Sequence, residues 1–478
     1  MPTSPPDGFP APDMVRAAYD SADLTRAITC YKHFFPAVSG MAILRGCAAV
    51  GLVPNQVFGT MDTRPGQIGL TLNSDTPYAP VILDLAVGPM IIDIPVGAIL
   101  GAVLNADQSW IADVGIPGPD HGNGGRYLVL PRESEHIEVE GAVTVRASTR
   151  HVLAGLRAVP LEGNLDAAIA LLRRTRVTPL HTVPGWTEPT WVDMTGCPQD
   201  TSPNTVQGTA RFWELLRDYL TDEGANAADQ VYAAQLAELG ITAGTPMPTD
   251  DRTLSLLARA AVDADAQMRV QSLSDRRDDR IAWSDRQWEW VSLRPENATF
   301  ERDGIGDVTA RETWFYQAIA SSPAMFRRRA GGGSLYWFCA HDNIGSYLDG
   351  GTTYSLTLPL PVPAALFWSI TVYDARTRSQ IDTPQGHAAL RSLFELRDHL
   401  DHDTVTVHFG PTAPTDPEQP WIQTIPGVGW FVYFRIYGPT EGAFDNSWKP
   451  GDFEPASPAG SGGLDRIQPA DPAGHRSS

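Results

Sequence analysis

Asn73, Asp75, Thr76 and Tyr78 crowd together in "NSDTPYAPVILDLAV", directly ahead of an apolar run. Asp75 accepts hydrogen bonds, Asn73 donates and accepts, and the two hydroxyls do either. Two arrangements use such a set. One is an Asx turn feeding a strand, with Tyr78 packed over it. The other is a group of donors and acceptors aimed at a ligand from the mouth of a β-sandwich. A second polar set, Asp107, Trp110 and Asp113, lies in "NADQSWIADVGI".

A third set lies in "FWSITVYDARTRSQI". Trp368, Ile370 and Val372 share one face of a strand, and Asp374 ends that face. Arg376 and Arg378 follow at once. A carboxylate and two guanidiniums at a strand end can hold an anionic group bidentately. An exposed Asp–Arg pair bracing a turn, worth about 0–1 kcal/mol, would use the same residues. In "WFVYFRIYGP", Trp430, Val432, Phe434 and Ile436 alternate with Phe431, Tyr433, Arg435 and Tyr437. Neither face suits water. One packs in a sandwich core; the other must be covered by helices or a second domain. Arg435 then needs a partner, because an unpaired buried charge is costly. A protein carboxylate is the first expectation and a ligand carboxylate the second.

Three functional readings follow. In the first, the chain is a catabolic or hydrolytic enzyme acting on a small, anionic organic substrate. Asp75, Tyr78, Asp107 and Asp374 are then the catalytic candidates, with a carboxylate as general acid or base. Asn73, Thr76, Trp110, Arg376, Arg378 and Arg435 are the substrate-binding candidates. Against it, no nucleophile–base pair is legible and no GxSxG, HExxH or Walker A motif occurs. Ser334 in "GGGSLYWF" lacks the strand–helix context of a nucleophile turn. In the second reading the chain binds a small molecule or glycan on some of its 13 tryptophans and 13 tyrosines. In the third, the face of residues 431–437 builds a homo-oligomer. His399 and His402 in "RDHLDHD" read as a charged turn, so neither a metal nor a cofactor is implied.

The net charge of −20 repels nucleic acid and anionic membrane, and neither is an expected partner. Cys30, Cys47, Cys197 and Cys339 form no CxxC pair and no disulfide framework. The N-terminus shows no secretory pattern, and no apolar run reaches the roughly 20 residues needed to span a bilayer. The expectation is a soluble, cytoplasmic protein.

The elements that must position these residues alternate along the chain. Apolar spacing predicts helix over 14–50, broken in two at Pro36 and Gly40. Short strands with frequent turns fill 51–160, and a helix capped by Asn164 follows. Residues 206–275 read as helices, and 272–311 as a connector packing Trp283, Trp288 and Trp290. Strands return from about 335. The fold class is mainly β with helical segments (α+β): two antiparallel β-sandwich or jelly-roll-like domains joined by a helical insert. The domains divide as N-terminal helices 1–50, first β domain 51–185, helical insert and connector 186–311, second β domain 312–455 and a disordered tail 456–478.

The ordered blocks "NSDTPYAPVILDLAVGP", "DQSWIADVGIPGPDHGNGGRYLVLP" and "RVTPL" resemble the bacterial domain-of-unknown-function family numbered 1254. "GGGSLYWF", "YLDGGTTYSLTLPLPVPAALFWSITVYDARTRSQIDT" and "WIQTIPGVGWFVYFRIYGP" resemble the partner family numbered 1214. The resemblance implies two β-rich, sandwich-like domains joined by helices and no established reaction. Its recurrent polar positions match Asn73, Asp75, Thr76, Tyr78, Asp107, Tyr127, Asp349, Asp374, Arg378 and Arg435. Two features depart from it. Many members look exported and this chain shows no signal. A charged "DGS" turn is replaced by "HLDHD", with His402-Asp403. If the first and third polar sets form one site, "NSDTPY" and "YDARTR" must meet in a cleft between the two β domains.

Overall fold

The computed structural model describes residues 8–197, 199–291, 299–326, 328–331 and 333–456. The tail expected to be disordered lies outside these residues, apart from its first position. Pro12 opens helix α1 (Pro12–Ala49) at a position where its missing N–H costs nothing. The helix then runs on through Pro36 and Gly40, where a break was expected. Proline removes one helical hydrogen bond and crowds the carbonyl one turn back. Here side chains from elsewhere take carbonyls beside the fault. Arg311 donates to the His33 carbonyl and Gln108 to the Pro36 carbonyl, each at 2.8 Å. Gly40 is a contact point: a β-carbon there would lie 1.8 Å from the Ala106 carbonyl oxygen.

The first β unit begins with β1 (Val57–Thr60) and β2 (Tyr78–Asp84). It continues through β3 (Met90–Ile94), β4 (Ile99–Asn105), β5 (Trp110–Gly115), β6 (Gly125–Leu130), β7 (Ala142–Arg146) and β8 (His151–Ala158). After α2 (Leu165–Leu172), capped by Asn164, come β9 (Arg176–Pro179) and β10 (Thr190–Asp193). One sheet has the order β2-β8-β4-β5 and the other β7-β6-β3-β9. Val81, Ala154, Leu156 and Val114 of the first meet Ile92, Tyr127, Val129 and Val177 of the second in one apolar core. Pairing is antiparallel except for β6–β7 and the separate β1–β10 pair.

Helices α3 (Arg211–Asp222), α4 (Gln230–Glu238), α5 (Asp251–Leu273) and α6 (Val308–Gln317) gather around α1. Two short pairs, β11 (Glu289–Trp290) onto the second unit and β12 (Glu301–Arg302) with β13 (Ile305–Gly306), punctuate the connector. Trp283 and Trp288 of the connector are buried in the core of the second unit.

That unit comprises β14 (Ser334–Cys339), β15 (Tyr354–Pro359), β16 (Ala364–Asp374), β17 (Ala389–Arg391) and β18 (Thr404–Gly410). It is completed by β19 (Trp421–Gln423), β20 (Trp430–Pro439) and β21 (Glu454–Pro455). Its sheets run β11-β14-β20-β16-β17 and β19-β18-β15-β21. The architecture is thus α+β with several antiparallel sheets. The two faces of β20 divide as their alternation requires. Trp430, Val432, Phe434 and Ile436 enter the core between the sheets. Phe431 and Tyr433 pack into the helical cluster instead. Among the described residues no helix is long and apolar enough to cross a membrane.

Candidate functional site

The two units turn the outer face of one sheet each toward the other, and a cavity of about 440 Å³ lies between them. The floor comes from the first unit. On β8, Val152, Ala154, Leu156 and Ala158 face the core, so Leu153, Gly155 and Arg157 face the cavity. Strand register sets Tyr78, Arg157 and Leu100 side by side, and beside them Pro80, Gly155 and Ala102. The roof comes from the second unit: Ser334 and Tyr336 of β14, and Tyr433, Arg435 and Tyr437 of β20. Ile43 and Cys47 of α1, with Met61, Leu72 and Met194, close an apolar end.

Three arginines line this space, an exposed Arg329 and, further in, Arg157 and Arg435. Arg435 is only 4 % exposed. It donates to the Thr71 carbonyl at 2.8 Å and to Thr371 Oγ1 at 3.1 Å. The rings of Tyr433, Tyr336 and Tyr373 surround it at 5.0–5.5 Å. Among the described residues it forms no ion pair with a carboxylate, which corrects the expectation of one, although the Asp75 charge still acts on it. Ring faces, a hydroxyl and a carbonyl offset its burial instead. Arg157 is half-buried, 5.9 Å from the centroid of the Tyr78 ring. It too forms no ion pair with a carboxylate among the described residues.

Several other polar groups around the cavity are held in pairs. The Tyr437 hydroxyl donates to Asp75 Oδ2 at 3.1 Å, and its ring stacks on Phe367. Burial, reinforced by the Asp75 charge, pushes the Tyr437 pKa well above the ordinary phenol value. Asp75 Oδ1 has no hydrogen-bond partner among the described residues. Asn73 Nδ2 donates to the Tyr78 hydroxyl at 2.6 Å, and Asn73 Oδ1 accepts from the backbone of Asp75 and Thr76. That is an Asx turn, so the same residues build a turn and line the cavity. Ser334 Oγ lies 2.5 Å from the Tyr336 hydroxyl, with no base between them. Burial pushes the Cys47 thiol up to about 12, so it stays protonated.

Of the sequence candidates, Asn73, Tyr78 and Arg435 line the cavity, as does Asp113 of the second polar set, and Asp75 stands behind it through Tyr437. Thr76 is buried in the Asx turn. The other five lie outside the lining. Asp107 accepts from Ser109 and from Asn226, tying its turn to the helical segment, and burial pushes its pKa up. Trp110 starts β5 and is 40 % exposed. Asp374 grips the exposed Arg376 across a turn. Arg378, in the left-handed region at φ 58°, is wholly buried. It donates to the carbonyls of Tyr316 and Arg376 and to Gln207. "NSDTPY" and "YDARTR" do approach each other, but their flanks join through backbone. Thr71 N–H donates to the Arg378 carbonyl, and the Tyr373 hydroxyl to the Leu72 carbonyl. Sequence reasoning missed Arg157, although the alternation in "HVLAGLRA" marks the strand that carries it.

Residues 55–179 match the family model described as protein of unknown function DUF1254. Residues 333–441 match the model of protein of unknown function DUF1214. The chain carries both in tandem. The DUF1254 region supplies Tyr78 and Arg157 of the floor, and the DUF1214 region supplies Tyr336, Arg435 and Tyr437 of the roof. The α1 wall lies outside both matches. The solved structure of the VPA0106 protein from Vibrio parahaemolyticus is similar in fold, with a TM-score of 0.55 at 15% identity. That alignment covers 91% of this chain and 100% of that one. An uncharacterized protein from Burkholderia cenocepacia aligns at a TM-score of 0.38 and 11% identity, over 92% of this chain and 96% of that one. That likeness is too slight to carry an argument. Comparison with curated proteins gives no match.

Proposed function

We propose that the protein binds a small organic anion with an apolar body in the cavity between its two β units. The observation that carries this reading is the pair Arg157 and Arg435. Both guanidiniums face one apolar-walled space without a carboxylate ion pair among the described residues. Arginine stays protonated, and its planar fork suits a carboxylate. Against such apolar, low-dielectric walls an arriving anion is held more strongly than at the surface. The cavity volume falls within the range of small-molecule pockets, roughly 300–1,000 Å³.

The alternatives have less support. A glycan binder would present aromatics outward in a row, whereas these tyrosines turn inward onto arginine. Assembly through residues 431–437 would need that face uncovered, and the helices and the first unit cover it. A hydrolytic role would need an activated nucleophile. Ser334 meets a phenol and Cys47 is held as a thiol.

Calorimetric titration of the whole protein with apolar carboxylates, aliphatic and aromatic, tests the proposal. Saturable binding that weakens at least tenfold in both Arg157→Met and Arg435→Met is expected. No binding by any acid, or equal binding by both folded variants, would refute it.

A further inference from the structure

One polar side chain in the cavity wall has almost nothing to bind. Gln199 is 5 % exposed. Its amide oxygen has no hydrogen-bond partner among the described residues, and its amide nitrogen reaches only the Met61 sulfur, at 3.3 Å. Turning the amide over would orphan the nitrogen instead, so either orientation leaves a buried polar group unsatisfied. Such groups cost stability and are uncommon unless something fills the place.

Met61 fixes where this group stands. It pairs with Tyr78, which pairs in turn with Arg157, so the three stand in one row on neighbouring strands. Cross-strand partners project to the same face, at about 4.8 Å per strand. Met61 is therefore roughly 10 Å from Arg157 across the floor, and the Gln199 amide lies against its sulfur. The wall at this end is apolar, formed by Ile43, Leu72, Leu153 and Met194.

We infer that the ligand has two heads. Its acid group lies at Arg157 and Arg435, an apolar chain crosses the floor, and an uncharged hydroxyl at the far end meets the Gln199 amide. The ligand class is an ω-hydroxy carboxylic acid. A hydroxyl both donates and accepts, so it satisfies the amide in either orientation. This inference rests on the reading of the cavity as an organic-anion site.

Titrating the whole protein with octanoate and with its ω-hydroxy derivative separates the two claims. The wild type should prefer the hydroxy acid. Gln199→Met, which keeps length and removes the amide, should reverse that order, a swing of about tenfold. Octanoate bound as tightly as the hydroxy acid by the wild type, or a preference unchanged in a folded Gln199→Met, overturns the inference and leaves the anion site standing. Binding of neither acid overturns the inference, and the anion site then stands or falls on the wider panel of carboxylates. If the variant does not fold, the order of the two acids on the wild type alone decides.

Discussion

Replacing Gly155 with leucine tests whether the floor of the cavity is where the ligand lies. Gly155 is on β8 between Pro80 and Ala102, with its backbone outside the left-handed region. A β-carbon there would meet no atom within 4 Å. The four carbon atoms of a leucine side chain, each taken at about the 30 Å³ of a water molecule, would fill on the order of 120 Å³. That is more than a quarter of the 440 Å³. The acid should bind at least tenfold more weakly. Stability should move the other way, because glycine inside a strand costs about 0.5–1 kcal/mol relative to alanine. Urea unfolding should therefore show a variant as stable as the wild type or up to about 1 kcal/mol more stable. Gly101 gives the contrast. Its β-carbon would meet Leu156 and Val114 at 2.9 Å, so the same substitution there should destabilise. Undiminished acid binding by a folded Gly155→Leu would place the ligand elsewhere. A loss above about 2 kcal/mol would mean that the floor is not open at this position.

Two further outcomes are expected. Gly40→Ala, which in an exposed helix would gain about 1 kcal/mol, should instead lose at least about 2 kcal/mol in urea unfolding, because its methyl meets the Ala106 carbonyl. An equally stable variant would refute that contact. His151 bonds Glu223 through Nδ1 at 2.6 Å. Burial lowers its pKa, but the bond to Glu223 and the charges of Glu223 and Asp84 raise it further, for a net rise. A raised folded-state value stabilises fully below the unfolded value of about 6.5 and ceases to stabilise as pH climbs through the folded value. The stability gap between wild type and His151→Gln should therefore shrink as the pH climbs above about 6.5. A gap that is flat or widens would refute the assignment.

The sequence revealed the periodicities and concealed what covers them. The alternation in "WFVYFRIYGP" showed that both faces of β20 are covered, and the fold bears this out. It did not show that Arg157 stands across from Arg435, because no local pattern records which sheet faces which. Pro36 and Gly40 carry ordinary helix-breaking chemistry. Their continuity depends on Arg311, Gln108 and the Ala106 turn, all distant in sequence. Arg378 looked like an anion ligand because it follows a strand end. Its left-handed backbone turns the guanidinium inward to carbonyls, a distinction that residue type alone does not carry. Asn73 and Tyr78 were legible because one short turn sets both their local bonding and their exposure to the cavity.

The shared seam also bears on how the chain is made. The floor, with Leu100, Leu104 and Leu153, is complete long before residues 334–437 leave the ribosome to cover it. At roughly 5–20 residues per second, that face waits on the order of ten seconds as a naked apolar sheet. A chain stopped after the first β unit would keep it exposed indefinitely and should aggregate. The surface that forms the binding chamber in the finished protein is the adhesive one in the nascent chain, and the late-arriving roof acts there as an intramolecular chaperone.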